Sequence, residues 1–180
     1  VKFITLSPFV KPINYKYIYF LSIYNDYVND VNLNKNIGFI GMFSENEKNV
    51  LSFIENINGK LICLGCNLKN SNNIDNYDNI NTLDLIDKLK KCSYIYIREH
   101  NDRYSGAITI ALSLNIPVIM KKNIASLYNI PAIIYDKNIN ELSYFINNIN
   151  IETYKEIKNN LKNFANNTIN KNKLIMQNIF

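Results

Sequence analysis

Both arginines of the chain, its only histidine and two carboxylates crowd into one short stretch of Tyr94 to Met120, YIYIREHNDRYSGAITIALSLNIPVIM. Arg98, Glu99, His100, Asp102, Arg103 and the Ser105-Gly106 pair fall within nine positions. The other 18 of the 20 basic residues are all lysines, so two neighbouring arginines depart from the chain's own habit. An arginine presents a planar fork of donors that grips phosphate or carboxylate bidentately, which a lysine cannot do. Ser105, Gly106 and Ala107 stand where a helix begins, and the free amides of a helix start favour anions. Together these groups offer anion recognition. The arginines would meet phosphate or carboxylate charge, with Glu99 and His100 beside them on the same loop. The competing reading is structural, with the arginines capping a strand end or pairing with Glu99 and Asp102.

The elements around this loop are what would position it. Tyr94 to Arg98 reads as an apolar strand, Gly106 to Leu114 as an almost wholly apolar helix, and Pro117 to Met120 as a second strand, which makes a βαβ unit. In open parallel sheets ligands bind beyond the carboxyl ends of the strands, where this loop would lie. A helix apolar all round must be covered on most sides. The spacing therefore predicts that Gly106 to Leu114 lies between the sheet and another body, a second domain or a partner chain.

The same alternation starts earlier. Ile37 to Phe43 reads as a buried strand, and Ser44 with Glu47 as a capping box that opens a helix with Val50, Phe53, Ile54 and Ile57 on its core face. Lys60 to Leu64 is the next strand. Gly65 to Asn81 is a long polar loop, functional or disordered, after which Thr82 caps a helix facing the core with Leu85, Ile86 and Leu89. Beyond Met120 come a helical turn near Ile124 to Leu127, a strand at Ala132 to Tyr135, and a helix from about Asn138 with its own Asn138–Glu141 box. That helix turns Leu142, Phe145, Ile146 and Ile149 inward. The last long helix covers about Glu152 to Asn166, with Tyr154, Ile157, Leu161 and Phe164 on one stripe. Its tail, Ile169 to Phe180, still carries Leu174, Ile175, Ile179 and Phe180, which suggests docking.

Residues 1–36 are harder to read. Tyr15 to Tyr24 is strand-like, and Asn25 to Asn36 reads as a connection. We divide the chain into an N-terminal arm or remnant of a preceding domain, 1–36, and a domain at 37–180. A first residue of Val rather than Met fits a piece of a longer chain.

Composition narrows the partners. Hydrophobic residues make up 47% and charged residues 19%, ordinary values for a packed core. The net charge of +5 comes from scattered lysines and not from a block, which describes a solvated surface and not a nucleic-acid interface. No signal peptide or apolar run long enough to span a bilayer is visible, which favours a cytoplasmic protein. Cys63 and Cys66 form a single C-x-x-C, and Cys92 stands alone. A structural zinc site needs four ligands, and a redox pair would normally open a helix, so the three read as buried thiols in a reducing compartment.

Several stretches carry a family resemblance. IGFIGMFSENEKN is similar to the opening strand and Gly-containing loop of the C-terminal, nucleotide-sugar-binding half of GT-B glycosyltransferases of group 1. NTLDLIDKLKKCSYIYIREH resembles that family's helix and strand leading to the donor site. YSGAITIALSLNIPVIM resembles its donor-site helix and following strand, and INELSYFINN a later helix. The resemblance spans roughly Ile37 to Phe164. It implies a three-layer Rossmann-like α/β domain with a mostly parallel sheet, and the donor-binding half of an enzyme that transfers a sugar from a nucleoside-diphosphate sugar of UDP or GDP type. It implies catalytic roles for Arg98 and Glu99, donor contacts from Gly41, Lys48, His100, Arg103, Ser105, Gly106 and Ala107, and neither a metal nor another cofactor. The acceptor side would come from a missing N-terminal domain or a partner chain. Two family positions differ: Met42 stands where an arginine is common, and at the spacing of a glutamate pair the chain has Asp102 and Ile110. A noncatalytic Rossmann-like binding or assembly module therefore stays open beside the enzyme, as does a related sugar-nucleotide enzyme such as an epimerase.

Overall fold

A computed structural model describes residues 4–5, 16–17, 33–44, 47–98 and 105–177. Strands β1 (Ile4–Thr5) and β2 (Lys16–Tyr17) pair in parallel as a small sheet of their own. The rest of the expected strand at Tyr15 to Tyr24 lies outside the described residues. Six further strands build one parallel sheet: β3 (Ile37–Ile40), β4 (Leu61–Leu64), β5 (Ile74–Tyr77), β6 (Tyr94–Tyr96), β7 (Val118–Lys121) and β8 (Ile133–Tyr135). Their spatial order is β5-β4-β3-β6-β7-β8, every neighbouring pair parallel. The fold is α/β and Rossmann-like, and the order turns back on itself between β3 and β6.

A parallel sheet buries both faces, and the strands alternate accordingly. Ile37, Phe39, Leu61, Cys63, Tyr94, Tyr96, Ile119, Ile133 and Tyr135 point to one face. Ile62, Leu64, Ile95, Ile97, Val118 and Met120 point to the other. The first face is covered by helix α1 (Lys48–Glu55) and by the 3-10 turn Ile139–Leu142 leading into α5 (Ser143–Asn148). The second is covered by α2 (Thr82–Leu89), α3 (Gly106–Leu114) and α4 (Lys122–Tyr128).

The final helix, α6 (Ile151–Gln177), serves both faces. Its Tyr154 belongs to the α1 side, whereas Leu161 and Ala165 join the α3 side. It crosses at the starting edge of the strands, where the Tyr154 hydroxyl donates to the Ser93 carbonyl at 2.7 Å. The body that covers α3 is therefore this chain's own helix, not a partner or a second domain. Leu161 and Ala165 pack with Ile108, Ala111 and Leu112, and Ser113 turns its hydroxyl back onto the Thr109 carbonyl at 2.8 Å. The helix also outruns the expected end near Asn166, and Leu174 on its last turns is 60% exposed.

Other expectations change in detail. The polar stretch Gly65 to Asn81 contains an edge strand, β5, held by the Asn76 side-chain amide, which donates to the Leu68 carbonyl at 2.8 Å. Its four residues are only half-buried, which is why no hydrophobic run announced it. The cap of α2 is Asn81, whose side chain accepts from the Asp84 amide at 3.0 Å, one residue before the expected Thr82. The box at Asn138 forms, Glu141 accepting from the Asn138 amide at 3.1 Å. Phe145 is exposed rather than core-facing, because the first turn there is 3-10 and rotates the stripe.

One close approach fixes the entry to the sheet. Lys35 sits in the left-handed region (φ 62°), and a Cβ added to Gly59 would lie 2.2 Å from the Lys35 carbonyl oxygen. Backbone on both sides leaves nothing free to yield. Gly59→Ala should cost about 1 to 3 kcal/mol by overpacking, read as a lower urea midpoint with unchanged slope. Gly106→Ala, where the added carbon meets nothing within 4 Å, should stay within about 0.5 kcal/mol of the parent.

Candidate functional site

The turning point of the sheet sets the geometry. The chain leaves β3 into the loop Gly41 to Ser44 and leaves β6 through Ile97 to Arg98, so these two exits face each other across the reversal. Gly41 has φ 99°, a conformation costly for any side chain, and a Cβ there would meet nothing, so the backbone at this point lies open.

The loop is tied on every side. The Gly41 amide donates to the Leu64 carbonyl at 3.0 Å, and the Gly41 carbonyl accepts from the Cys66 thiol at 3.0 Å. The Phe43 amide donates to Asn67 Oδ1 at 3.1 Å. Arg98 Nη1 donates to the Met42 carbonyl at 2.7 Å. Met42 itself is 60% exposed.

Arg98 also meets an acid that the sequence had presented only as a helix cap. Its Nε lies 3.4 Å from Glu47 Oε1. Glu47 is 2% exposed and Arg98 about a quarter. The other carboxylate oxygen of Glu47 accepts from the Ser44 amide at 2.8 Å and from the Ser44 hydroxyl. The expected capping box is thus half made: Glu47 reaches back to Ser44, but the Ser44 hydroxyl donates to the carboxylate instead of accepting from the helix. Arg98 Nε is buried with no aligned acceptor, so its contact with Glu47 is an ion pair and not a hydrogen bond.

The second wall is the start of α3. Ser105 is its buried N-cap, with no capping bond from its side chain. Its backbone N–H turns to the Tyr128 hydroxyl, which partly opposes the rise that burial imposes on that phenol. The Ser105 carbonyl accepts from the Ile108 amide at 3.1 Å. Gly106 is exposed with open space around its α-carbon, and Ala107 is half-buried. The first amides of a helix have no partner within it, so this end offers donors to an anion.

Among the expected site residues, Gly41 and Arg98 lie at the reversal itself, and Ser105, Gly106 and Ala107 open the helix that follows β6. Lys48 is exposed as the first residue of α1. Glu99, His100 and Arg103, with Asp102, lie outside the described residues. Ile110 is half-buried on α3. Glu47, Asn67 and Cys66 are additions. Glu47 and Cys66 were visible only as local motifs, and nothing in the sequence linked either to the loop after β3. Among the described residues no group of three or more His, Cys, Asp or Glu is placed to hold a metal ion, and no helix is long and apolar enough to cross a membrane.

The clasp has a measurable consequence. Arg98→Ala should destabilise the fold by about 2 kcal/mol, the scale of a charged interaction lost at a buried partner. In a Glu47→Gln background the same change should cost about 1 kcal/mol less, because no buried carboxylate is left alone. A double-mutant cycle in urea measures the difference, and equal costs in both backgrounds would refute the coupling.

Comparison with models of known protein families gives no match, and no curated protein matches the chain either, so its chemistry has to be argued from the site itself.

Proposed function

We propose that this domain binds a nucleoside-diphosphate sugar, of UDP or GDP type, as the donor-binding half of a glycosyltransferase. One observation carries most of this reading: the parallel order turns back between β3 and β6 with an open Gly41 backbone on one side and Arg98 on the other. Sheets of this kind take their ligands in that crevice. The diphosphate would lie between the Gly41 loop and the amides of Gly106 and Ala107. Arg98 would meet the charge that grows on the departing diphosphate. From sequence, Glu99 would accept from a sugar or ribose hydroxyl, and His100 and Arg103 would add phosphate contacts on the same connection. Lys48 would supply charge from the start of α1. The acceptor would be brought by a further domain or partner chain, and the expected cytoplasmic setting is where nucleotide sugars are met.

A second reading has its own support. The Arg98 fork is already spent in part on Met42 and Glu47, and Ile110 stands where the family resemblance calls for an acid. A noncatalytic module keeping the fold would look the same at these positions.

A thermal-shift titration with UDP, GDP and ADP separates the two. Ligand at a hundred times its dissociation constant should stabilise the domain by about 2.7 kcal/mol, a rise of several degrees at this size. One base should shift the melting point and the others should not. Gly106→Val should lose that shift while melting close to the parent, since its added atoms enter open space that the ligand would otherwise fill. No shift with any nucleotide would refute the donor site and favour the module.

A further inference from the structure

At the end of β4, beside the loop just described, Cys63 and Cys66 are brought together by the turn at Gly65, which has φ 73°. Both are free and buried, Cys63 completely and Cys66 at 5%. Both side chains lie in the same core cluster, on either side of that turn. The Cys66 thiol in turn donates to the Gly41 carbonyl at 3.0 Å. The pair is therefore tied through Cys66 to the backbone of the open loop. Cys92 has no such partner among the thiols; it lies under α2 with its sulfur 3.6 Å from the Lys88 carbonyl.

We propose that Cys63 and Cys66 form an oxidisable dithiol, a modification site for small peroxides, whose conversion to a disulfide releases the Gly41 carbonyl. Cys66 is the sulfur that reacts first. It is the less buried of the two, and the neighbouring Cys63 side chain, the Leu64 backbone and the nearby Arg98 charge favour its thiolate, against burial and Asp78. The Cys66 thiolate attacks one peroxide oxygen, the O–O bond breaks, and hydroxide leaves as water after taking the thiol proton. Cys66 is then a sulfenic acid. The Cys63 sulfur attacks it, the S–O bond breaks, and a second water carries off the hydroxyl and the Cys63 proton. Overall two thiols and one hydrogen peroxide give one disulfide and two waters. The sulfurs are oxidised by two electrons and the peroxide is reduced by two. A disulfide sulfur has no hydrogen to give, so the Gly41 carbonyl loses its donor.

The chemistry of the pair stands independently of the proposed function, whereas its effect on ligand binding rests on that reading. The test treats the full chain with hydrogen peroxide, alkylates remaining thiols with iodoacetamide and maps peptides by mass. A Cys63–Cys66 disulfide should form while Cys92, whose thiol burial pushes up to about 12, is alkylated only after unfolding. Cys63→Ser should instead trap sulfenic acid at Cys66, captured by dimedone. Absence of the disulfide in the parent, or oxidation of Cys92 as fast as of the pair, overturns the site. The second arm compares nucleotide titrations of reduced and oxidised protein. Oxidation should weaken binding about fivefold, the loss of one ordinary hydrogen bond. Equal affinity in both states overturns the link to the loop. Reduced protein that binds no nucleotide refutes the function proposed above, and with it that link, while the mapped disulfide stands or falls on the first arm alone.

Discussion

A parallel sheet of six strands has two apolar faces, and every other feature of this domain follows from having to cover both. Helical crossovers normally do this, but the connection from β4 to β5 contains no helix. One covering element is therefore missing from the usual set. The chain makes up for it with α6, whose 27 residues begin on one face and end on the other. That explains why α3 is apolar almost all round. It is sandwiched between the sheet and α6, so a polar stripe would have had no water to face. It also explains the buried tyrosine hydroxyl at the crossing, since Tyr154 reaches the Ser93 carbonyl where the helix passes under the strand starts.

The candidate site inherits its place from this architecture and its rigidity from long-range side chains. Four consecutive residues, Gly41 to Ser44, are held by groups from different parts of the chain: Leu64 and Cys66 from the end of β4, Asn67 just beyond, Arg98 from the end of β6, and Glu47 from the start of α1. A loop fixed in this way loses little further freedom when it takes a ligand, and that is the main physical gain of preorganisation. The same ties explain the burial of Glu47. Its charge is balanced by Arg98 on one oxygen and by Ser44 donors on the other, as a buried carboxylate requires.

Much of the fold was legible because its signals are local. The strands at Ile37, Leu61, Tyr94 and Val118 carry dense apolar runs, and the Asn138–Glu141 box is complete within four residues. β5 was not legible, because IDNY is a half-buried edge whose identity comes from pairing with β4 and from the Asn76 amide. The end of α6 was missed for a related reason: beyond Asn166 its residues are largely polar, and helix continuity there depends on backbone bonds and not on a stripe. The cover for α3 was deduced correctly as a need and assigned to the wrong body, since periodicity tells that a face is buried but not by what. At the site, Arg98 stood out by residue type alone. Its partners did not, because Met42 contributes a carbonyl that any residue has, and Glu47 had a sufficient local explanation as a cap.

That last point bears on how the arginine should be understood. Two accounts of Arg98, as a ligand group and as a structural tie, were set against each other from sequence, yet the geometry makes them compatible. Nη1 holds the Met42 carbonyl, and the carboxylate of Glu47 lies beside Nε without an aligned hydrogen bond. A guanidinium has five donors in one plane, so these two contacts leave some of the fork uncommitted to them. Fixing one edge of the plane reduces the rotamer freedom that a long side chain would otherwise lose on meeting an anion. The tie to the loop is then what would make Arg98 effective toward a ligand, because it holds the guanidinium beside the Gly41 loop before anything arrives. An arginine free of such contacts would be the weaker candidate.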